Sequence, residues 1–378
     1  MSDLVHPAFA PVADAYRSWL DVDHGYAGQL AVLHRGEPVL DLTLGDLAPD
    51  ALVPVFSSSK GAIGVVIALL VERGLLDLDA TVSSYWPEFA AAGKAEVRVR
   101  QLLSHQAGLH GVDGGFTDDE LLAHEPLAAR LAAQRPLWRL GAGFAYHALT
   151  IGTLADELVR RVTGRTLGEV FRTDVAQPRG IDVHLGTPVE LEPRVTTVDL
   201  PPQDQLLANM SRMPAPDPGS LGGMAMPRGD RHLLLRVNDE DYRRVGPPAA
   251  GGLATARGLA QMYASLHHDL GGGRVLSDDT IAQVTQIQVS GVDLGNDMPF
   301  RYGVVFQKPI GPRLLFGSAR AFGHDGAGGS LGYSDPSCDV AVGYLAKTVH
   351  IPVDLDVQPD PRIELTKLIR ACAGSADG

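Results

Sequence analysis

Cysteine is almost absent. Only Cys338 and Cys372 occur in 378 residues. That excludes a disulfide scaffold and a cysteine-built zinc site, and leaves two buried or idle thiols. Lysine is scarce too: there are five, so arginine supplies most of the positive charge. Acidic residues outnumber basic ones by 45 to 32, a net charge of −13. A chain of that sign lacks the footprint of a nucleic-acid binder and gains nothing from an anionic membrane surface. Long apolar runs are missing as well. The longest, Ala62 to Val71, is about half a membrane span and stops at Glu72. The opening residues, Met-Ser-Asp-Leu-Val-His-Pro, lack the charged-then-apolar pattern of a secretory leader, so a cytoplasmic protein is expected. There is no H-E-x-x-H, no P-loop and no G-x-G-x-x-G after a strand. His105 and His110 have no carboxylate or cysteine at ligand spacing, and neither a metal nor a cofactor is expected.

What remains is an ordinary globular balance, 45% apolar and 20% charged, in a length that suits one large or two ordinary domains. Gln29–His34 and Pro38–Leu44 are apolar-rich strand candidates joined by Arg35-Gly36-Glu37, an expected hairpin. A helix is expected from Ser58 to Arg73 with Gly74 as its stop, and others over Leu127–Gln134 and Tyr146–Val162. Thr255 is placed to cap a helix over Ala256–His268. Strands are expected at Tyr302–Gln307, Arg313–Phe316, Gly329–Tyr333 and Val340–Ala346, and a terminal helix over Pro361–Cys372. Strands therefore sit at both ends and helices between, which argues α+β rather than alternating units. Residues 1–80 and 250–378 read as a discontinuous sheet domain. Residues 81–249 read as mainly helical, with a proline-rich excursion over 187–249 that holds Met210, Met213, Met224 and Met226.

Three segments could carry chemistry. Ser57-Ser58-Ser59-Lys60 stands where Val53–Phe56 meets a helix. A serine there sits beside unpaired N–H groups, and a lysine three residues on shares its face. The apolar helix beyond would bury Lys60, lower its pKa and let it take the serine proton. The same four residues also describe a capping serine and a surface lysine. Tyr146 follows Gly141-Ala142-Gly143 and opens a helix, where the dipole would lower a phenol pKa; it also fits an aromatic core position. Phe322-Gly323-His324-Asp325-Gly326-Ala327-Gly328-Gly329-Ser330 is rich in small residues that bring backbone N–H groups close to a substrate, or is a glycine-rich turn. Gly328 to Gly332 also spells G-x-S-x-G, but a strand pattern follows where that motif needs a helix, so Ser330 is read as a decoy.

Taken together, the three segments resemble the three motifs of the serine β-lactamase and penicillin-binding superfamily. They are most similar to the carboxylesterase branch related to class C β-lactamases, often called family VIII esterases. Gly61–Asp79, Leu102–Leu109, the stretch after Tyr146 and Gly251–Ala256 resemble that group as well, so the likeness covers about residues 27–346. The resemblance implies an antiparallel sheet flanked by helices plus a helical domain, with the site between. It implies Ser57 as nucleophile, Lys60 as its base and Tyr146 as the group that shares the proton. It implies an oxyanion hole from the backbone N–H groups of Ser57 and Ala327, and a substrate pocket edged by His324, Asp325 and Gly326.

The departures narrow the substrate. Where relatives carry Tyr-x-Asn this chain has Tyr146-His147-Ala148, and Lys-Thr-Gly has become His324-Asp325-Gly326. The replaced residues hold a substrate amide and carboxylate in the relatives, and Asp325 would repel a carboxylate. The expectation is a serine carboxylesterase for small or medium neutral esters, with a small-molecule ester as its only partner and no cofactor. The oligomeric state is left open. Alternatives on the same scaffold are a β-lactamase or D-amino peptidase and an acyltransferase; a non-catalytic binding protein is more remote.

Overall fold

The computed structural model describes residues 3–199, 220–228, 236–310, 316–349 and 360–375. Met210, Met213 and all of the expected Arg313–Phe316 strand but its last residue lie outside them. The described strands are β1 Leu4–Val5, β2 Gly28–His34, β3 Glu37–Leu44, β4 Val53–Pro54, β5 Val183–Leu185 and β6 Gly252–Ala254. They continue with β7 Val289–Val292, β8 Pro299–Tyr302, β9 Phe322–Asp325, β10 Leu331–Asp335 and β11 Val340–Ala346.

The front hairpin starts the main sheet. Arg35 and Gly36 join β2 to β3 with φ of 55° and 80°, the left-handed pair whose twist matches a tight hairpin. β2 then pairs with β11 from Gly28↔Ala346 to His34↔Val340. The order is β1-β3-β2-β11-β10-β9, with every neighbour antiparallel. β2 is buried along its whole length because both faces are covered. Ala31 and Leu33 point into one core and Leu30 and Val32 into the other, the period of two that a strand imposes. On one face lie the helices Ala10–Arg17 and Pro361–Ser375, through Val12, Tyr16, Leu365 and Ile369. On the other lies Ala256–Ala264, capped by Thr255, whose Oγ1 accepts from Gly258 N at 2.9 Å. That helix comes closest where Gly332 and Gly343 face each other across β10 and β11. A Cβ on Gly343 would meet the Ala256 carbonyl.

The helix Lys60–Glu72 runs beneath this layer and is buried on every side from Lys60 to Leu70. A helix apolar all round is interior. It packs against the helices Thr150–Thr163 and Asp278–Thr285. A second, antiparallel sheet of β4, β6 and β5 lies at its head.

Several boundaries differ from expectation. The strand expected over Tyr302–Gln307 ends at Tyr302. Val305 turns left-handed at φ 66° and gives its N–H to Leu103 O at 2.8 Å, while Phe306 packs against Gly64. That apolar run is buried by the central helix rather than by strand pairing. The helix expected from Ser58 begins with a 3-10 turn, Phe56–Ser59, and the helix expected from Tyr146 begins at Thr150. Gly329 and Ser330 close a turn instead of starting β10.

Gly343→Val forces the Ala256 helix off the sheet and should lower stability by about 1–3 kcal/mol. Val22→Ala, at a side chain 90% exposed, should leave it unchanged. Urea midpoints of the two variants check this.

Candidate active site

Ser57 is delivered by a strained turn. β4 pairs with β6, and Val55 N continues the ladder to Gly252 O at 3.0 Å. Phe56 then takes φ 47°, a left-handed conformation that costs a non-glycine residue and needs its surroundings to hold it. Ser59 Oγ supplies part of the hold, donating to Phe56 O at 2.5 Å and accepting from Gly252 N at 3.0 Å. The result pushes Ser57 part-way into the open between buried Phe56 and Ser58. One turn on, Lys60 Nζ donates to Ser57 Oγ at 3.0 Å and to Ala249 O at 2.8 Å. Lys60 is wholly buried. Desolvation pushes its pKa well below the ordinary lysine range, and the nearby Asp325 charge pulls it back only in part. An amine so placed can accept the Ser57 proton.

Tyr146 completes the cluster, with its ring centroid 4.8 Å from Lys60 Nζ. It stands four residues before the helix, in a segment that is neither helix nor strand. The expected lowering of its pKa by a helix dipole is therefore overturned. Burial pushes the phenol up, Asp325 and Asp293 push it further, and Ser57, which its hydroxyl faces, offsets part of the rise. The hydroxyl is buried and makes no hydrogen bond of ordinary geometry. It is a protonated donor here, suited to give a proton rather than to stand as a phenolate.

The third segment closes over the serine turn. β9 ends at Asp325, Gly326 N donates to Ser330 O and Gly329 N to Gly326 O, both at 2.8 Å. Gly326 lies against Val55 O and Gly328 against the Phe56 ring, an approach that a side chain at either glycine would block. Ala327 is exposed at the tip and its N–H has no partner among the described residues. The Ser57 N–H also precedes the first hydrogen bond of its turn, Ser58 N to Val55 O. The turn that carries Ala327 lies against Val55 and Phe56, next to Ser57 in sequence, so these two N–H groups, without partners among the described residues, are candidates to hold a developing oxyanion. Ser330 is 2% exposed and donates to Val55 O at 2.6 Å, and its Oγ lies 2.9 Å from Ser58 Oγ. It is a staple between the two turns, and strand β10 follows it, so the G-x-S-x-G context fails as expected.

His324 is buried, 5.9 Å from the Tyr146 ring, and Nδ1 lies 2.7 Å from Asp325 O. Burial and Lys60 hold its pKa well below the usual histidine value, so it is neutral. The Asp325 side chain is 24% exposed, and its charge is felt at Lys60, Tyr146 and Arg362. His147 follows Tyr146 and is structural: Nδ1 lies 2.6 Å from Ala145 O and Nε2 accepts from Leu109 N at 3.1 Å. Burial lowers its pKa to about 3.

Sequence reasoning missed several members of this cluster. Ala249 holds Lys60 from 189 residues away, and Arg362 donates to Gly329 O at 3.0 Å from the terminal helix. Asp293 accepts from Tyr146 N at 2.5 Å. None has a local signal: a carbonyl is the same at every residue, and Asp293 sits among ordinary turn residues. Met224 and Met226 are the described part of the methionine cluster, and Met224 packs on Gly111. Among the described residues no group of three or more His, Cys, Asp or Glu could hold a metal, and no helix is long and apolar enough to cross a membrane.

Comparison with known proteins adds to this geometry. Residues 21–366 match the family described as Beta-lactamase. Over 359 residues, 89% of this chain and 80% of the relative, the chain is 36% identical to the Esterase/beta-lactamase LipL of Mycobacterium tuberculosis. The structure of EstA from Arthrobacter nitroguajacolicus Rue61a superposes over 100% of both chains with a TM-score of 0.92 and 38% identity. A family VIII carboxylesterase does so over 98% of this chain and 99% of its own, with a TM-score of 0.85 and 30% identity.

A fluorophosphonate should modify Ser57 and leave Ser330 untouched, in the native protein and in Ser330→Ala alike. Peptide mass spectrometry checks this, and an adduct on Ser330 would reverse the assignment.

Proposed function

We propose, for a chain that belongs to the beta-lactamase family, that it is a serine carboxylesterase acting on small to medium neutral esters through an acyl-enzyme on Ser57. The observation that carries this is the 3.0 Å contact between Ser57 Oγ and a fully buried Lys60 whose ammonium is disfavoured by desolvation.

In this reading neutral Lys60 takes the Ser57 proton as Oγ attacks the ester carbonyl. The negative charge that gathers on the carbonyl oxygen is held by the Ser57 and Ala327 N–H groups. The tetrahedral intermediate collapses, the bond to the alcohol oxygen breaks, and Tyr146 gives that oxygen its proton. The Lys60 ammonium then returns a proton to Tyr146. In deacylation a water gives its proton to the same pair as it attacks the acyl carbonyl, and the acid leaves with Ser57 restored. No step needs a cofactor. The raised phenol pKa favours Lys60 over Tyr146 as the first base.

Substrate choice follows from charge. Neutral His324 offers a carboxylate little, and Asp325 repels it. A neutral ester needs neither contact. The relative named esterase/beta-lactamase makes lactam cleavage the second reading; anionic penicillins would have to overcome Asp325.

The test is turnover of p-nitrophenyl acetate and butyrate beside a chromogenic cephalosporin. Ser57→Ala should lower ester kcat by at least ~10³-fold. Equal kcat/KM for ester and cephalosporin would overturn the assignment of neutral esters. Because the reaction needs Lys60 without its proton, kcat/KM should fall as pH drops through the lysine pKa, well below 10.5. Lys60→Arg, charged at every pH, should be inactive across the whole profile.

A further inference from the structure

Tyr146 belongs to no helix or strand, so something else must hold its ring. Asp293, at the tip of the β7–β8 hairpin, is 1% exposed. Its Oδ2 accepts from Tyr146 N at 2.5 Å and its Oδ1 from Gly295 N at 2.7 Å. The next residue, Leu294, gives its N–H to Phe144 O at 2.9 Å. The hairpin tip therefore grips the tyrosine segment at two residues. β8 grips the ring itself. Phe300 lies 6.3 Å from it at 16°, and Tyr302 lies 6.0 Å from it at 2°, both nearly parallel. His105 meets it edge-on at 5.3 Å. No cation forms an ion pair with Asp293 among the described residues, although burying a lone carboxylate is costly. Backbone N–H groups satisfy it instead, and that of Tyr146 is one of them.

We propose that Asp293 is the positioning residue of Tyr146: its carboxylate fixes the tyrosine backbone, and the hairpin it anchors fixes the plane of the ring, so that the hydroxyl faces Ser57 and Lys60 Nζ lies over the ring. This rests on the esterase reading for its kinetic consequence but not for its geometry. A misplacement of about 1 Å in a proton donor costs on the order of 10²-fold in rate. The negative charge also opposes ionisation of the phenol, which keeps Tyr146 a donor.

The experiment compares Asp293→Ala and Asp293→Asn with the native enzyme on p-nitrophenyl butyrate, with active enzyme counted by fluorophosphonate labelling of Ser57. Asp293→Ala should lower kcat per labelled site by roughly 10- to 100-fold and leave KM within about threefold. Asp293→Asn keeps an oxygen acceptor and should recover most of the loss. If Asp293→Ala is insoluble, Asp293→Ser, too short to reach Tyr146 N, replaces it. An unchanged kcat per labelled site, with only the melting temperature lowered, would mean a purely structural role and would overturn the proposal. A second readout does not depend on turnover. The ¹³Cζ resonance of Tyr146, identified by its loss in Tyr146→Phe, should move in Asp293→Ala and return towards its native position in Asp293→Asn. If the native protein neither hydrolyses esters nor labels at Ser57, the esterase reading fails alone, and this resonance still decides the role of Asp293: unmoved, it refutes it.

Discussion

One amine is kept out of water, and the rest of the site is arranged around that constraint. Lys60 opens a helix buried on all sides, so its Nζ has no solvent to turn to. It has two partners instead, the Ser57 hydroxyl and the Ala249 carbonyl. A carbonyl does not compensate a buried ammonium fully, and desolvation lowers the pKa. The same burial that stabilises the fold thus disfavours the ammonium, which in the proposed reading makes Lys60 a base. An isosteric apolar side chain would satisfy the core and lose the chemistry.

The two sheets meet this constraint from different directions. The small sheet bends the chain at Phe56 and presents Ser57, while the approach to β6 brings in Ala249. The main sheet ends in β9 and β10, whose turn lies over Val55 and Phe56 and leaves the Ala327 N–H without a partner among the described residues. Ser58 and Ser330 join the two turns, and Arg362 braces the second from the terminal helix. Tyr146 comes from a third direction, held by a hairpin rather than by its own helix. The residues proposed as nucleophile, base, proton donor and N–H pair therefore come from three separate stretches of chain, around Ser57–Lys60, Tyr146 and Ala327, each held by contacts to other parts of the fold.

Charge at the rim is what the proposed substrate choice rests on. The position of the motif lysine is filled by a buried, neutral imidazole, and the next position by an acid whose field reaches Lys60 and Tyr146. Asp325 thus acts twice. It moderates the lowering of the Lys60 pKa, and in the proposed reading it makes the mouth unfavourable to anions. Both effects follow from one carboxylate near a low-dielectric pocket.

Periodicity and spacing were enough for what depends on neighbours in sequence. The β2–β3 hairpin, the Thr255 cap, the glycine stop at Gly74 and β11 follow from residues a few positions apart. So does the Ser57–Lys60 pair, because one helical turn brings i and i+3 together. Tertiary structure decided the rest. Val304–Phe306 has the composition of a strand, yet the central helix buries it without pairing. Tyr146 was legible as a residue but the direction of its pKa shift was not: it depends on burial and on Asp293 and Asp325, 147 and 179 positions away in sequence. Desolvation and field strength are properties of a packed volume, and no local pattern encodes which distant carbonyl or carboxylate will fill it.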